Sequence, residues 1–445
     1  MRILSTLVAA AVCVASLRAA DGRVISPSAE MLARKAVSGK PAEAASAIRE
    51  LRSLGQLGLD AILAAYANEI QTRREGLSSP GADAEWKLIA AAIDGVAGQK
   101  DAYASGLYWH TDLAQAKAEA AQKGRPVLSL RLLGRLDEDL SCANSRFFRL
   151  TLYSNSTVSK LLRERFVLHW ESVRPVPKIT IDFGDGRKLE RTLTGNSIHY
   201  VLDSTGRVID ALPGLYGPAA FGRRLERAAE LFRSLGQARN PGAWESLLRQ
   251  YHQIQLDETS NAWAADIARA GVSVPPRRDL SRPGDQDNPP TAAEASKRAI
   301  TKMIRIEKPI IRGLGSKAGA LEASSEDAQW AKIGRLYAQD ARLDSSSLAL
   351  IRNKNWGAYG RKGDTSFQQA VNALERAIAE DTARNRYTFE TTLHQWFIEG
   401  TATRDLRELN DRVYAELFLT PSTDPWLGLF PADSYIGIEN EGVTK

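Results

Sequence analysis

Few residues in this chain can start chemistry. Of 445 residues, two are cysteine and five are histidine. Cys13 lies in an apolar N-terminal run, so Cys142, within "GRLDEDLSCANSRFF" (134–148), is the thiol with a structured context. It follows Val127 to Leu133, an apolar run that suits a buried central strand, and precedes helical text from Arg146 to Arg163. A cysteine near a helix start feels the positive end of the helix dipole, which favours the thiolate. Arg146 would add to this effect, and Asp137, Glu138 and Asp139 would oppose it. Ser145 is placed to donate a hydrogen bond. Two readings stay open: a monothiol that forms mixed disulfides, or a packed cysteine, since free cysteine is among the most buried residue types.

The histidines, His110, His169, His199, His252 and His394, are scattered. With no HExxH, no histidine pair at i, i+4 and no cysteine pair, a zinc site has no support in the sequence. Ser197 and His199 are two apart in a strand and so share a face. Their loop is placed to approach Cys142, which makes a Cys–His couple one reading and a core histidine the other. In "AEDTARNRYTFETTLHQWF" (379–397), Asp381 and Asn385 are i, i+4 neighbours, as are Glu390 and His394. A metal bundle needs several such helices, and His394 is the one histidine in that stretch, so a buried hydrogen-bond network is expected. The sequence has no Gly-rich phosphate loop and no Gly-x-Ser-x-Gly elbow, and no cofactor is expected.

The elements that must position these residues read as follows. Residues 27 to 100 show apolar residues at helical spacing (Ile48, Leu51, Leu54, then Leu59, Ile62 and Leu63), broken at Gly55 and Gly58. They resemble paired, HEAT-like helices without further copies. From Trp109 the order is a helix capped by Thr111 or Asp112, the strand at 127–133, the Cys142 segment, and the strand "RFVLHWESV". Next come a hairpin turning at Gly184-Asp185-Gly186, a second hairpin turning at Ser204-Thr205-Gly206, and an amphipathic helix, "PAAFGRRLERAAELFRSL". Residues 241 to 270 read as helix. Five prolines within "VSVPPRRDLSRPGDQDNPPT" mark a linker. Beyond it the longest helix is expected from about Ser366 to Ile398, then one more helix and an irregular, packed tail.

Composition is ordinary for a globular protein, with 43% hydrophobic and 25% charged residues. The net charge of +6 is spread along the chain, which argues against nucleic-acid binding. "MRILSTLVAAAVCVASLRAADG" resembles a secretory signal: Arg2, an apolar run, then small residues near Ala20. Cleavage there removes Arg2, Arg18 and Cys13 and leaves a charge of +4. The apolar run is short for a membrane span, which needs about 20 residues, and no later segment is long and apolar enough. The expectation is an exported protein, periplasmic or extracellular, with a single thiol in a compartment that permits disulfides.

The order helix, strand, helix, strand, hairpin, helix over 107–235 resembles a thioredoxin fold. "RPVLSLRLLG" resembles the strand that leads into the redox site of that superfamily, and "YVLDSTGRVIDALPG" resembles the hairpin after its cis-proline. Locally, Gly134, Leu136-Asp137-Glu138, Ser141-Cys142, Phe166-Val167 and Trp170 resemble the redox-motif region of selenoprotein N. In that comparison Ala143 stands where the selenocysteine would be, Asn144 replaces the glycine, and Ser197 takes the cis-proline place. A redox pair needs two chalcogens, the second resolving the mixed disulfide of the first, and Ala143 cannot do this.

The organisation expected is a signal peptide (1–20), an α-helical N-terminal region (21–104), an α/β thioredoxin-like domain with a mixed sheet flanked by helices (105–238), a helical extension (239–271), a Pro-rich linker (272–295) and an α-helical C-terminal domain (296–445). The function expected is a non-dithiol binding or scaffold protein that holds protein partners through its helical parts. The alternative is a monothiol thiol–disulfide oxidoreductase acting through Cys142 with Ser145, Ser197 and His199. Burial of the sulfur discriminates between the two.

Overall fold

A computed structural model describes residues 24–75, 84–193, 195–278, 327–355, 365–427, 437 and 439–442. The signal sequence expected at 1–20, most of the expected linker (279–295) and the start of the C-terminal helical part (296–326) lie outside the described residues.

The N-terminal part is helical. It comprises α1 (Pro27–Ala36), α2 (Pro41–Ser53), α3 (Gln56–Ala65), α4 (Ala67–Arg74), α5 (Ala84–Ala97) and the short α6 (Ala102–Ser105). Ser26 caps α1 by accepting from the Ala29 amide, and proline opens both α1 and α2. Leu51, Leu59, Ile62, Ile89, Ile93 and Val96 pack into a second core, which Leu350 of the C-terminal part joins. Leu54, expected inside, is 45% exposed. It caps the end of α2, where the chain leaves the helical path, so the spacing no longer carries it inward.

The middle of the chain is mixed α/β. α7 (Leu113–Lys123), capped by Asp112 and closed by Gly124 at φ +60°, leads into β1 (Val127–Leu133). α8 (Ala143–Phe147) runs directly into a π-helical turn, Phe148–Tyr153. Then come α9 (Ser156–Arg165), β2 (Val167–Arg174), β3 (Lys178–Asp182), β4 (Lys188–Thr192), β5 (Ser197–Leu202), β6 (Val208–Pro213) and the amphipathic α10 (Pro218–Leu235). The helix expected from Arg146 to Arg163 is broken at Ser154-Asn155. There the Asn155 side chain accepts from the Val158 amide and starts α9 afresh. Four strands form one sheet in the order β2-β1-β5-β6. β1 and β2 are parallel, and the other pairs are antiparallel. The parallel pair requires a crossover, which α8 and α9 supply. Every residue of β1, β5 and β6 is buried, as suits strands covered on both faces. β3 and β4 form a separate, exposed ribbon.

α11 (Pro241–Ala270) is one 30-residue helix. The C-terminal part holds helices at 327–334 and Ser345–Lys354, then Thr365–Asn385, which continues through the π turn Arg386–Glu390 into Thr391–Glu399. The long element expected from Ser366 to Ile398 is this path. Leu406–Arg412 follows and also ends in a π turn, Val413–Leu417. These helices do not stand apart: Tyr387, Phe389, Phe397, Tyr414 and Phe418 share one continuous core with Leu130, Leu132, Tyr200 and Leu212 of the sheet. None of the described helices is long and apolar enough to cross a membrane.

Candidate functional site

Cys142 is the N-cap of α8 and is fully buried. Its Sγ lies 2.8 Å from Ser197 Oγ at the start of β5 and 3.5 Å from Ser145 Oγ one turn along α8. Ser145 donates within a local network that includes Ser141 Oγ at 2.7 Å and the Cys142 carbonyl at 2.9 Å. Three of the four residues chosen from sequence therefore meet. The fourth, His199, is placed differently. Its ring packs among Phe148, Tyr153 and Phe221, and its Nε2 is 2.6 Å from Tyr153 Oη. Burial holds its pKa down to about 3, so it is a neutral core imidazole. Among the described residues its hydrogen-bond partner is Tyr153, and Cys142 pairs with hydroxyls.

A stabilised thiolate needs a cation or a base beside it. Arg146 instead donates to Thr192 Oγ1 at 2.8 Å. Arg149 is buried and reaches Ser141 Oγ at 3.4 Å and the Asp101 carboxylate at 3.9 Å, on the serine side of the network. The helix that Cys142 caps has five residues before its hydrogen-bond pattern changes, so its dipole is short.

The C-terminal segment closes over this end of the sheet. Tyr414 Oη donates to the Asn196 carbonyl at 3.1 Å, and Asn196 Nδ2 donates to Thr420 Oγ1 at 2.9 Å. Arg174 donates to the carbonyls of Asp424 and Thr420 at 3.0 and 3.2 Å. Tyr414, Phe418, Leu419 and Thr420 are buried. Burial, and after it the neighbouring Cys142, pushes the Tyr414 hydroxyl well above its ordinary pKa. The backbone just before Ser197 is thus already engaged by the chain's own C-terminal helix.

The buried hydrogen-bond network expected around Glu390 and His394 is present, and Arg224, His252 and Asp210 join it, which was not foreseen from the sequence. Arg224 of α10 lies on the apolar stripe of its helix, between Phe221 and Leu225, both fully buried. It donates to Gln255 Oε1 at 3.0 Å and His394 Nε2 at 3.2 Å, and pairs with Glu390 at 3.4 Å. The expected Glu390–His394 neighbours are therefore bridged by a guanidinium. Burial opposes the charge on Arg224, but Glu390 and Asp210 beside it raise its pKa above the ordinary value. His252 and His394, from helices far apart in sequence, bring their Nδ1 atoms to 2.8 Å.

Ligand atoms of Asp210, His252 and His394 lie within 4.8 Å of one another, which is close enough to hold a metal ion. The hydrogen bonds nevertheless close without one. His252 Nε2 faces the Ile209 carbonyl at 3.0 Å and so carries the proton. Its Nδ1 then accepts from His394 Nδ1–H, and His394 Nε2 accepts from Arg224. An ion on both Nδ1 atoms would force a proton onto His394 Nε2, facing the Arg224 donor. The three residues do not fit a metal in this arrangement. Burial lowers the pKa of both histidines well below the ordinary value, which agrees with two neutral rings.

Beside this network a cavity of about 110 Å³ opens between α10, α11 and the π turn at Arg386–Glu390. Arg224, Arg386, Glu390, Tyr216 and Tyr337 line it, with Arg223–Asp340 and Arg227–Glu258 ion pairs at 2.8 and 2.9 Å. The signal for it in the sequence was an arginine at a core position of an amphipathic helix. Comparison with protein families, with curated proteins and with solved structures finds no match to this chain.

Proposed function

We propose that residues 105–238 form a thioredoxin-like domain without redox activity. The whole chain is then an exported binding or scaffold protein that holds protein partners through its helical parts. The observation that carries this reading is the burial of the Cys142 sulfur against Ser197, under a C-terminal helix bonded to the Asn196 carbonyl. The strand order, the thiol at a helix start after the central strand, and the approach of the cis-proline position to the sulfur support the resemblance. With Ala143 beside it and the groove edge occupied by Tyr414, the thiol has neither a resolving partner nor an open strand edge for a substrate. The N-terminal text supports export.

The second reading, a monothiol oxidoreductase, draws on the two hydroxyls at the sulfur, since hydrogen bonds to a thiolate favour it. Alkylation of Cys142 against pH, in native and in denatured protein, separates the two. The expected result is labelling only after denaturation, or natively at a rate set by opening of the fold. A native rate already near its plateau below pH 7 would overturn the scaffold reading in favour of the monothiol enzyme.

A further inference from the structure

We propose that the arginine-lined cavity between α10, α11 and the π turn Arg386–Glu390 is a binding site for a carboxylate group. The argument rests on charge, donors and size, and it shares no residue with the Cys142 cluster, so it stands whichever reading of the thiol holds.

Charge decides the sign of the ligand. At the mouth, Arg223 is paired with Asp340 and Arg227 with Glu258, and both arginines are about half exposed, so those charges cancel and are screened. At the inner end, Arg224 and Glu390 are mostly or fully buried and pair with each other. Arg386 is left over. Its side chain donates to Tyr337 Oη at 2.9 Å and lies over the Tyr337 and Tyr387 rings at 5.9 and 5.4 Å from their centroids. Among the described residues it has no carboxylate in an ion pair. Arg223, Arg224, Arg227 and Arg386 thus line the cavity against Glu258, Asp340 and Glu390, one guanidinium more than carboxylates, while Asp210 lies behind Arg224 and does not line it. Arg386 is partly buried and shares Glu390 with Arg224, so a singly charged anion in the cavity would complete its pairing. A phosphate dianion would reverse the imbalance.

Donors and size narrow the class. The Arg386 guanidinium offers a planar N–H fork, which matches a carboxylate with two parallel hydrogen bonds, while the terminal nitrogens of Arg224 are engaged with Gln255, His394 and Glu390. Among the described residues, the buried Arg224 Nε–H has no hydrogen-bond partner. The Tyr216 hydroxyl is buried beside the cavity, near the Glu390 carboxylate. About 110 Å³ admits a group of a few heavy atoms, such as a short-chain acid or the end of an acidic side chain. Both sources offer the same planar, singly charged head.

The test uses the full-length mature chain. Acetate, lactate and a blocked peptide carrying one glutamate are titrated by calorimetry and by thermal shift, against chloride and inorganic phosphate at matched ionic strength. We expect saturable binding of at least one carboxylate probe, weakened tenfold or more in Arg386→Gln and partly restored in Arg386→Lys. Tighter binding by the small acids points to a free metabolite, and tighter binding by the peptide points to a partner's side chain. If Arg386→Gln does not fold, Tyr337→Phe, which removes the hydrogen bond that aims Arg386, takes its place with the same expected direction. The proposal is overturned if no carboxylate exceeds chloride, if phosphate binds more tightly than every carboxylate, or if the variants bind undiminished.

Discussion

At the scale of single residues, four histidines are buried in the neutral form. His199 is held by Tyr153 and His169 by Ser129 Oγ at 2.9 Å, while His252 and His394 hold each other. Burial lowers His169 and His199 to about 3 and the other two well below 6.5. The unfolded chain takes up these protons near pH 6.5 and the native chain does not. Stability is therefore complete above pH 6.5 and is lost as pH falls toward 3, at about 1.4 kcal/mol per histidine per pH unit. Asp94 acts in the opposite direction: burial raises its carboxyl to about 6, so its contribution grows as pH falls from 6 to 4. Burial raises the Asp210 carboxyl as well, and two such groups do not offset four. Urea unfolding between pH 5 and 8 should show a plateau above 6.5 and a steep decline below it, and His199→Gln should reduce the slope by about one proton. Stability that stays flat from pH 7 to 5 would contradict the neutral assignments. Cys142, Ser145 and Ser197 could be picked out from sequence because a rare residue sat between a clear strand and a clear helix. Of the two readings of His199, the core histidine is the one found, and its partner Tyr153 could not be named from sequence because it sits on a π turn.

At the scale of elements, α10 is held at its N-terminus by backbone contact. Gly217 precedes the helix, and its amide donates to Thr382 Oγ1 at 2.8 Å. A β-carbon there would lie 2.1 Å from the Asp340 carbonyl oxygen. No flexible side chain can yield at that point, so the helix itself would have to move. Gly217→Ala should destabilise by about 2–3 kcal/mol, and it should weaken carboxylate binding because Arg223, Arg224 and Asp340 shift together. Equal stability and affinity, measured by denaturant unfolding and calorimetry, would count against this tight approach. Element types were readable throughout: both hairpins, α10, α11 and the long C-terminal helix fall where spacing and turn residues place them. The π turns were not, because a π turn uses residues that read as ordinary helix, and only the tertiary contacts of Asn385 with Leu215 and of Arg386 with Tyr337 distinguish it.

At the scale of the whole molecule, the two ends of the described chain behave differently. The N-terminal helices pack around a second core that takes in Leu350 of the helix Ser345–Lys354, while the later C-terminal helices complete the core of the sheet. Composition and periodicity could not show this, since an apolar helix face does not say which surface it covers. Tyr414 is the clearest case: it belongs to the last helix and closes the groove beside Cys142. Tyr414→Ala should cost about 3–5 kcal/mol, as for other buried aromatic truncations, and should raise the native alkylation rate of Cys142 by at least tenfold. Tyr414→Phe, which keeps the ring and loses the bond to Asn196, should cost about 1 kcal/mol and leave the thiol covered. An unchanged labelling rate in Tyr414→Ala would show that the C-terminal segment is not what shields the sulfur.

The closure of that groove also sets an order in time. The bonds from Asn196 and Arg174 to Tyr414, Thr420 and Asp424 span 218 to 250 residues of chain. Contacts of such sequence separation form late, because the long loop between them must be closed before they contribute. The sheet and α8 can assemble from nearer neighbours in sequence, and the bonds that bring the C-terminal segment over this end of the sheet follow. A nascent or truncated chain would lack this cover over the end of the sheet that carries Cys142, and a thiol probe supplied during synthesis would time its arrival.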